Sequence, residues 1–551
     1  MTTDFARKGL KKLVVGSMLT LSLAMPLQAM AESDGSTIAV PLRTVSESIG
    51  AKVTWDATKQ RATVSRGGFE LTVTIGDNIA TVNGKQLTLD NTVTKVDGKV
   101  IVPLGVLNEA LQVQMDWNEN NGLTIHSTDT VTLGSYFVQL IVSGKYTEAR
   151  VMLSSDLQKV LPEATMPIIL DLASSYGSFT ELIAVQQEKT KVHHNVHLTY
   201  MTNQSIPVRL SVRFDDQNKV DDLYIAPATP STYQHPSYDN ADLYTEEEVV
   251  VGEGAVAVPG TLTLPIGEGP FPSVVLVHGS GASDRDQSIG GYKMFRDLAV
   301  GLAGNGIAVL RYEKQTHENP LKISMHPNAT VKEESIDDAL RAVDLLKSDK
   351  RIDSNQIFVI GHSQGGMLIP KIIEQDKDKA IAGTVVMAGA SKSLEDVLSD
   401  QHKDAVDRLT KAGQPEQVIA VAKQQAAQWE QFVKILHDPK YSITNIPKGM
   451  PQGTYWWFDL RGYYPGELAK KQEGPLLILQ GENDYQVPIH HLDGWKEALS
   501  ARKDVTYKSY PNLNHMFVPV DEPSTGAEYS IPGNVPESVI NDIAKWISKQ
   551  K

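Results

Sequence analysis

The stretch around residue 360 constrains this chain more than any other. Four apolar residues, Ile357-Phe358-Val359-Ile360, run into Gly361-His362-Ser363-Gln364-Gly365-Gly366, and Met367-Leu368-Ile369 then opens a helical pattern to Asp376. A short apolar run bounded by glycine reads as a buried strand, and the pattern after it reads as a helix. The turn between them must be sharp. G-x-S-x-G supplies it, because two glycines let strand and helix backbones approach while a serine sits at the tip with its Oγ exposed. The helix start adds the positive end of its dipole beside that oxygen.

Three further segments fit the same chemistry. Val274-Val275-Leu276-Val277 is a second buried-strand run, and His278-Gly279-Ser280-Gly281 follows it as a glycine-rich loop. Beside a G-x-S-x-G turn such a loop offers one backbone N–H to an oxyanion, and the residue after the serine offers another. Ser280 is the expected first donor, with Gly281 next, and Gln364 is the second. Asp284-Arg285-Asp286 reads as a set of loop-fixing ion pairs. Pro475-Leu476-Leu477-Ile478-Leu479-Gln480-Gly481 is an apolar strand with Asp484 just past its tip, and the strand Thr506–Tyr510 leads to Asn514-His515. Ser363, Asp484 and His515 thus occur in the order nucleophile, acid, base, each after a strand end. His515 would take the Ser363 proton, and Asp484 would fix the imidazole tautomer. Asp493 is the competing acid, at the start of a helical pattern. His278 and His362 read as structural, and His490 and His491 follow the acid too closely in sequence to be the base.

The segments V-L-V-H-G-S-G-A-S-D-R-D, G-I-A-V-L-R-Y, G-H-S-Q-G-G and L-I-L-Q-G-E-N-D-Y-Q-V make residues 244–551 resemble an α/β-hydrolase of the serine esterase kind, close to the serine-aminopeptidase-like and dienelactone-hydrolase-like group. The resemblance implies a doubly wound, mostly parallel α/β sheet with helices on both faces and a helical lid. It implies no metal and no organic cofactor. Dienelactone hydrolases use a cysteine nucleophile, and this chain has no cysteine. The lid is expected at 393–474, an insertion too long for an ordinary connection. It reads as two helices, Leu394–Ala412 and Pro415–Leu436, and ends in Tyr455-Trp456-Trp457-Phe458. Trp456 and Trp457 are expected either to wall a substrate pocket or to pack the lid.

Upstream, Val40-Pro41-Leu42 recurs as Val102-Pro103-Leu104, and at the same spacing Trp55-Asp56 is echoed by Trp117-Asn118. Each copy reads as a strand, a short helix and a strand carrying the tryptophan, and Asn83-Gly84 signals a hairpin between them. Residues 36–128 resemble the copper amine oxidase N-terminal-like domain of exported bacterial proteins. In those oxidases the copper lies in another domain, and no three-histidine copper site is found here. Residues 129–225 read as a small α+β domain similar to one of unassigned function that precedes exported hydrolases. His193, Asn195 and His197 fall on one strand face, which reads as a solvated face lacking a carboxylate to complete a metal site. Residues 226–243, rich in Pro, Ser, Tyr and Asp, read as a linker.

Residues 1–31 have the pattern of a secretory signal peptide: Arg7, Lys8, Lys11 and Lys12, an apolar run from Leu13 to Leu27, then Ala29-Met30-Ala31. The expected location is secreted, with cell-wall or surface contact through the N-terminal domains. The formal charge of −14 argues against nucleic acid as a partner, and no later apolar stretch suits a transmembrane span. The absence of cysteine removes thiolate metal sites, cysteine nucleophiles and disulfides together. The expectation is a secreted serine hydrolase acting on a small-molecule carboxylic ester through an acyl-serine intermediate. Two other readings stay open. One is a serine peptidase for short peptides or aminoacyl amides, with Glu395, Asp396 or Asp459 holding a free amino group. The other is a surface-binding protein that keeps the fold as a scaffold.

Overall fold

The computed structural model describes residues 38–118, 122–451 and 453–550, so the signal-peptide pattern lies outside the described residues. The chain divides into two compact units, with the boundary in sequence between Thr229 and Pro230.

In the first unit the repeated V-P-L segments pair with each other. The strands Ala39–Pro41 and Lys99–Pro103 are antiparallel with Val40 opposite Val102. Each ends at a proline that caps a helix, Leu42–Glu47 or Leu104–Leu111. Proline suits that place because its missing N–H would be unpaired there anyway. Val40, Leu42, Val102, Leu104 and Leu107 then share one core with a five-stranded antiparallel meander over 52–88. Asn83 and Gly84 both have positive φ (47° and 79°) and close its last hairpin, as that dipeptide must. The boundary drawn at 128/129 falls inside this unit. Arg66 crosses it, donating to the Ile49 carbonyl at 2.8 Å and to the Asp129 carboxylate at 2.5 Å.

Beyond that boundary, helix Thr130–Val142 covers a four-stranded antiparallel sheet over 179–227. Here the solvated-face reading of the histidines needs correction. His193 and Asn195 are buried. His193 Nε2 lies 2.9 Å from Asp221, His197 Nδ1 bonds Ser211 Oγ at 2.8 Å, and His197 Nε2 is 3.5 Å from Glu188. Glu188 comes from across a turn and Asp221 from the strand beyond the next, a proximity that spacing along one strand does not reveal. Among the described residues no group of three or more ligating side chains could hold a metal ion.

The second unit is built on an eight-stranded sheet. Its strands are β1 (Tyr244–Val251), β2 (Val258–Pro265), β3 (Phe271–Val277), β4 (Ala308–Tyr312), β5 (Ile352–His362), β6 (Ile381–Met387), β7 (Leu476–Gly481) and β8 (Val505–Tyr510). Their order across the sheet is β1-β2-β4-β3-β5-β6-β7-β8. β1 and β2 run antiparallel to their neighbours, and all later pairs are parallel. This is the α/β-hydrolase sheet that the motifs led us to expect. Alternate residues sort to its two faces. Val274, Leu276, Phe358 and Ile360 join one core with α1 (Met294–Gly304) and the C-terminal helix Glu537–Ile547. Val275, Val277 and Val359 join the other with α2 (Asp337–Ser348) and α3 (Gln364–Gln375).

Between β6 and β7 the insertion forms α4 (Leu394–Lys411), α5 (Glu416–Leu436) and α6 (Thr454–Leu460). Of residues 226–243, read as a linker, 226 and 227 end a strand of the first unit, and 231–243 are instead a strap on this unit. Tyr233 donates its hydroxyl hydrogen to Asp297 at 2.7 Å, Tyr238 to the Val535 carbonyl at 2.6 Å, and Thr232 to the Ser530 carbonyl at 2.9 Å. Polar composition hid the strap because its anchoring groups are tyrosine and threonine hydroxyls. Among the described residues no helix is long and apolar enough to cross a membrane.

Candidate active site

Ser363 ends β5 and starts α3, with φ 54° and ψ −118°. A side chain at positive φ is strained, and the surroundings must enforce it. The glycines do so. A Cβ on Gly361 would stand 2.3 Å from the Gly365 carbonyl oxygen, and one on Gly365 would stand 2.3 Å from that of Val277 and 2.6 Å from that of His278. Strand, turn and helix therefore touch backbone to backbone. Gly279 is also tight, since a Cβ there would lie 3.1 Å from Ser363 Cβ. The glycine-rich loop thus runs beside the serine.

Asp484 and His515 follow β7 and β8, on the same edge of the parallel sheet as Ser363. His515 Nδ1 and Asp484 Oδ2 are 2.7 Å apart, with both side chains buried. The carboxylate is further gripped by Gln480 Nε2 (3.1 Å), the Gln486 N–H (2.8 Å) and the Val487 N–H (2.9 Å). An acceptor-only group facing Nδ1 makes Nδ1 the donor and leaves the Nε2 lone pair for a proton. The His515 turn is set by buried Asn514, whose Oδ1 accepts from the Met516 and Val518 N–H groups, each at 3.0 Å. Asp493, the competing acid, is exposed on a helix and paired with Lys496 at 3.0 Å.

Burial holds three histidines near the site, His362, His278 and His491, below the usual imidazole range. His362 lies well below the usual imidazole range because it is desolvated and faces His515. Its Nε2 is 2.8 Å from the His515 carbonyl, so Nε2 donates, and Nδ1 takes the Gln287 amide. Burial and then the Lys314 charge push His278 down to about 3, and its Nε2 donates to the Asp284 carbonyl at 3.0 Å. His491 is pushed down to about 4 by burial and by His490.

The glycine-rich loop is tied by side chains. Gln287 Oε1 accepts from the Gly279 N–H at 3.1 Å. Lys314 Nζ donates to the Gly279 carbonyl at 2.8 Å, and Thr316 Oγ1 to that of Gly281 at 2.9 Å. Neither the Ser280 nor the Gly281 N–H has an acceptor among the described residues, as an oxyanion donor requires. Asp284-Arg285-Asp286 forms the expected anchor: Arg285 with Glu313 at 2.6 Å, Asp286 with Arg311 and Lys293 at 2.9 Å each, and Asp284 Oδ1 on the Ser288 N–H at 2.8 Å. Burial pushes the Asp286 carboxyl up, but Arg311 and Lys293 outweigh it and bring it to about 2.

Trp456 and Trp457 spend their rings on protein. Trp457 meets Trp429, Phe432 and Trp456 edge-on, with centroids 4.9–5.8 Å apart. Trp456 is buried in the core and donates Nε1–H to Glu334 at 2.7 Å. The pocket-wall expectation gives way to packing, because helix α6 turns its bulky side into the protein. Glu395 is buried, with Oε1 accepting the Gly462 N–H at 2.6 Å and Oε2 without a hydrogen-bond partner among the described residues, and Asp396 accepts the Tyr464 hydroxyl at 2.8 Å. Sequence reading missed Gln287, Lys314, Glu334 and Gln480. For Gln480 a signal existed, a lone amide in the apolar run Leu476–Leu479.

Comparison with known proteins follows this geometry. Residues 22–126 match the copper amine oxidase N-terminal domain, and residues 326–528 match the prolyl oligopeptidase family. Over 414 residues the chain is 32% identical to esterase EstD of Thermotoga maritima, covering 75% of this chain and 94% of that protein. Solved structures with similarity include an esterase of Pyrococcus furiosus (15% identity, 58% of this chain and 96% of that one, TM-score 0.36) and Est1E of Butyrivibrio proteoclasticus (14%, 55% and 98%, TM-score 0.36).

Proposed function

We propose, from the premise that this chain belongs to the family of the Thermotoga maritima esterase EstD and is a hydrolase, that it cleaves small carboxylic esters through an acyl-Ser363 intermediate. Ser363 Oγ attacks the carbonyl carbon while His515 Nε2 accepts its proton. Asp484 holds the imidazole by Nδ1 and stabilises the imidazolium that forms. The Ser280 and Gln364 N–H groups receive the developing oxyanion. His515 then returns the proton to the leaving alcohol, and water repeats the sequence on the acyl-enzyme. The observation that carries this reading is the buried 2.7 Å contact between His515 Nδ1 and Asp484, on a carboxylate already fixed by three other donors. Fluorophosphonate labelling of the parent and of Ser363→Ala, beside turnover of short aryl esters, tests it. Labelling that persists in Ser363→Ala would refute it.

The match to the prolyl oligopeptidase family favours a second reading, cleavage of short peptides or aminoacyl amides. Against it, Asp396 already accepts the Tyr464 hydroxyl within the lid, and Glu395 is buried. Faster turnover of aminoacyl anilides than of aryl esters would decide for the peptidase. We place the enzyme outside the cytoplasm on the charged-then-apolar pattern of residues 1–31 alone, and cell fractionation tests that placement.

A further inference from the structure

Lys314 stands immediately beyond β4 and is fully buried. Its ammonium has three hydrogens and three acceptors: Glu334 Oε1 at 2.6 Å, the Gly279 carbonyl at 2.8 Å and Gln364 Oε1 at 3.4 Å. Of these, the Gly279 carbonyl shares its peptide unit with the Ser280 N–H, and Gln364 carries the other expected oxyanion donor. A peptide unit is planar and trans, so its C=O and N–H point in opposite directions. Holding the Gly279 oxygen on one side therefore aims the Ser280 N–H to the other. The third contact steadies Gln364, whose N–H is the partner donor.

The grip extends along the loop at alternate residues. The Lys314 N–H takes the Ser283 carbonyl at 3.2 Å, and Thr316 Oγ1 takes that of Gly281 at 2.9 Å. Gly279 is clamped at both ends, because its N–H is held by Gln287. Gly281 has φ +92° and lies exposed, so only outside anchors can hold this loop in one conformation. A cation on the carbonyl also polarises the peptide and strengthens its N–H as a donor.

Glu334, the counterion, sits in a wide helical turn, Lys332–Ile336, just before α2. Such π-type turns are uncommon and recur at functional sites. Its second oxygen accepts Nε1–H of Trp456 at 2.7 Å. Trp456 belongs to lid helix α6. A continuous chain of contacts thus runs from the lid through Glu334 and Lys314 to the peptide beside Ser363.

From this geometry we infer that Lys314 is a positioning residue that orients the Ser280 N–H of the oxyanion hole, and that Glu334 ties it to the lid through Trp456. The inference rests on the hydrolase reading above. A matched pair of aryl esters differing only in carbonyl oxygen or sulfur tests it, because sulfur accepts hydrogen bonds poorly and gains little from an oxyanion hole. In Lys314→Met, kcat on the oxygen ester should fall about 10²-fold, the cost of one such donor, with KM within about threefold. The thionoester rate should fall far less, so the oxygen-to-sulfur preference collapses. Lys314→Met/Glu334→Gln leaves no unpaired buried charge and should show the same collapse if the single variant folds poorly. Trp456→Phe keeps an aromatic side chain but removes the Nε1–H donor together with part of the ring, and its preference should lie between those of the parent and Lys314→Met. Equal loss on both esters would mean general damage and would overturn the inference, as would an unchanged preference. A parent inert toward every ester would instead bring down the hydrolase reading, and this inference with it.

Discussion

Two segments flank Ser363, and they are held by opposite means. The elbow from Gly361 to Gly366 is locked by backbone against backbone, with no room for a single methyl group. The loop from Gly279 to Gln287 is open, partly exposed and tied down by Gln287, Lys314, Thr316 and three ion pairs. A shape fixed by backbone contact cannot be tuned by distant groups. A shape fixed by side chains can be, because every tie leads elsewhere in the fold. The proposed nucleophile is thus placed by local chain geometry, and the proposed oxyanion donors are placed by tertiary structure.

The comparison can be broken most forcefully at the chemistry itself. Ser363→Ala should lower turnover on the order of 10⁵- to 10⁶-fold, and Asp484→Asn about 10⁴-fold through the wrong imidazole tautomer. Both should leave circular dichroism and melting temperature close to the parent's. A folded Asp484→Asn within tenfold of the parent would remove Asp484 from its role. Gly365→Ala attacks the backbone lock, since its methyl group meets two carbonyl oxygens. It should cost about 3 kcal/mol in a urea titration and take activity with it. A stable, active Gly365→Ala would show that the elbow has slack.

The loop should respond to acid where the elbow does not. Asp286 has a folded-state pKa near 2, below its ordinary 3.8. Its stabilising contribution is therefore complete above pH 4 and is lost as pH falls toward 2, about 2 kcal/mol in all. Asp286→Asn should lack that part of the acid limb in denaturation curves, and identical limbs would refute the assignment. The mildest test is Gln287→Leu, which frees the Gly279 N–H and His362 Nδ1 together. It should slow turnover roughly tenfold and cost about 1 to 2 kcal/mol, with KM little changed.

The same contrast governs what could be read from the sequence. The elbow is local, so its glycines, strand and helix stood in order in one short segment. Asp484 and His515 were legible as the polar residues just past apolar strands. The ties of the loop were not. Lys314 looks like any charged residue after a strand, and nothing in spacing joins it to Glu334 or to Trp456. The histidines of the first unit misled for that reason, since Asp221, on the strand beyond the next, reaches His193 only in the folded sheet. Residues 231–243 misled in another way, because composition reports polarity but not which hydroxyl finds a buried acceptor.

That strap has a consequence for modularity. Tyr238 reaches Val535, Thr232 reaches Ser530, and Asn534 Nδ2 returns a bond to the Gln234 carbonyl at 2.9 Å. The segment by which the chain enters the second unit is stitched to the segment that precedes its last helix. Both sides of this seam belong to the second unit, so the seam travels with that unit when the chain is cut ahead of it. A piece cut at 230 carries its own seam, whereas a piece cut at 244 discards half of it and leaves Asp297 and Val535 without the tyrosines that close over them.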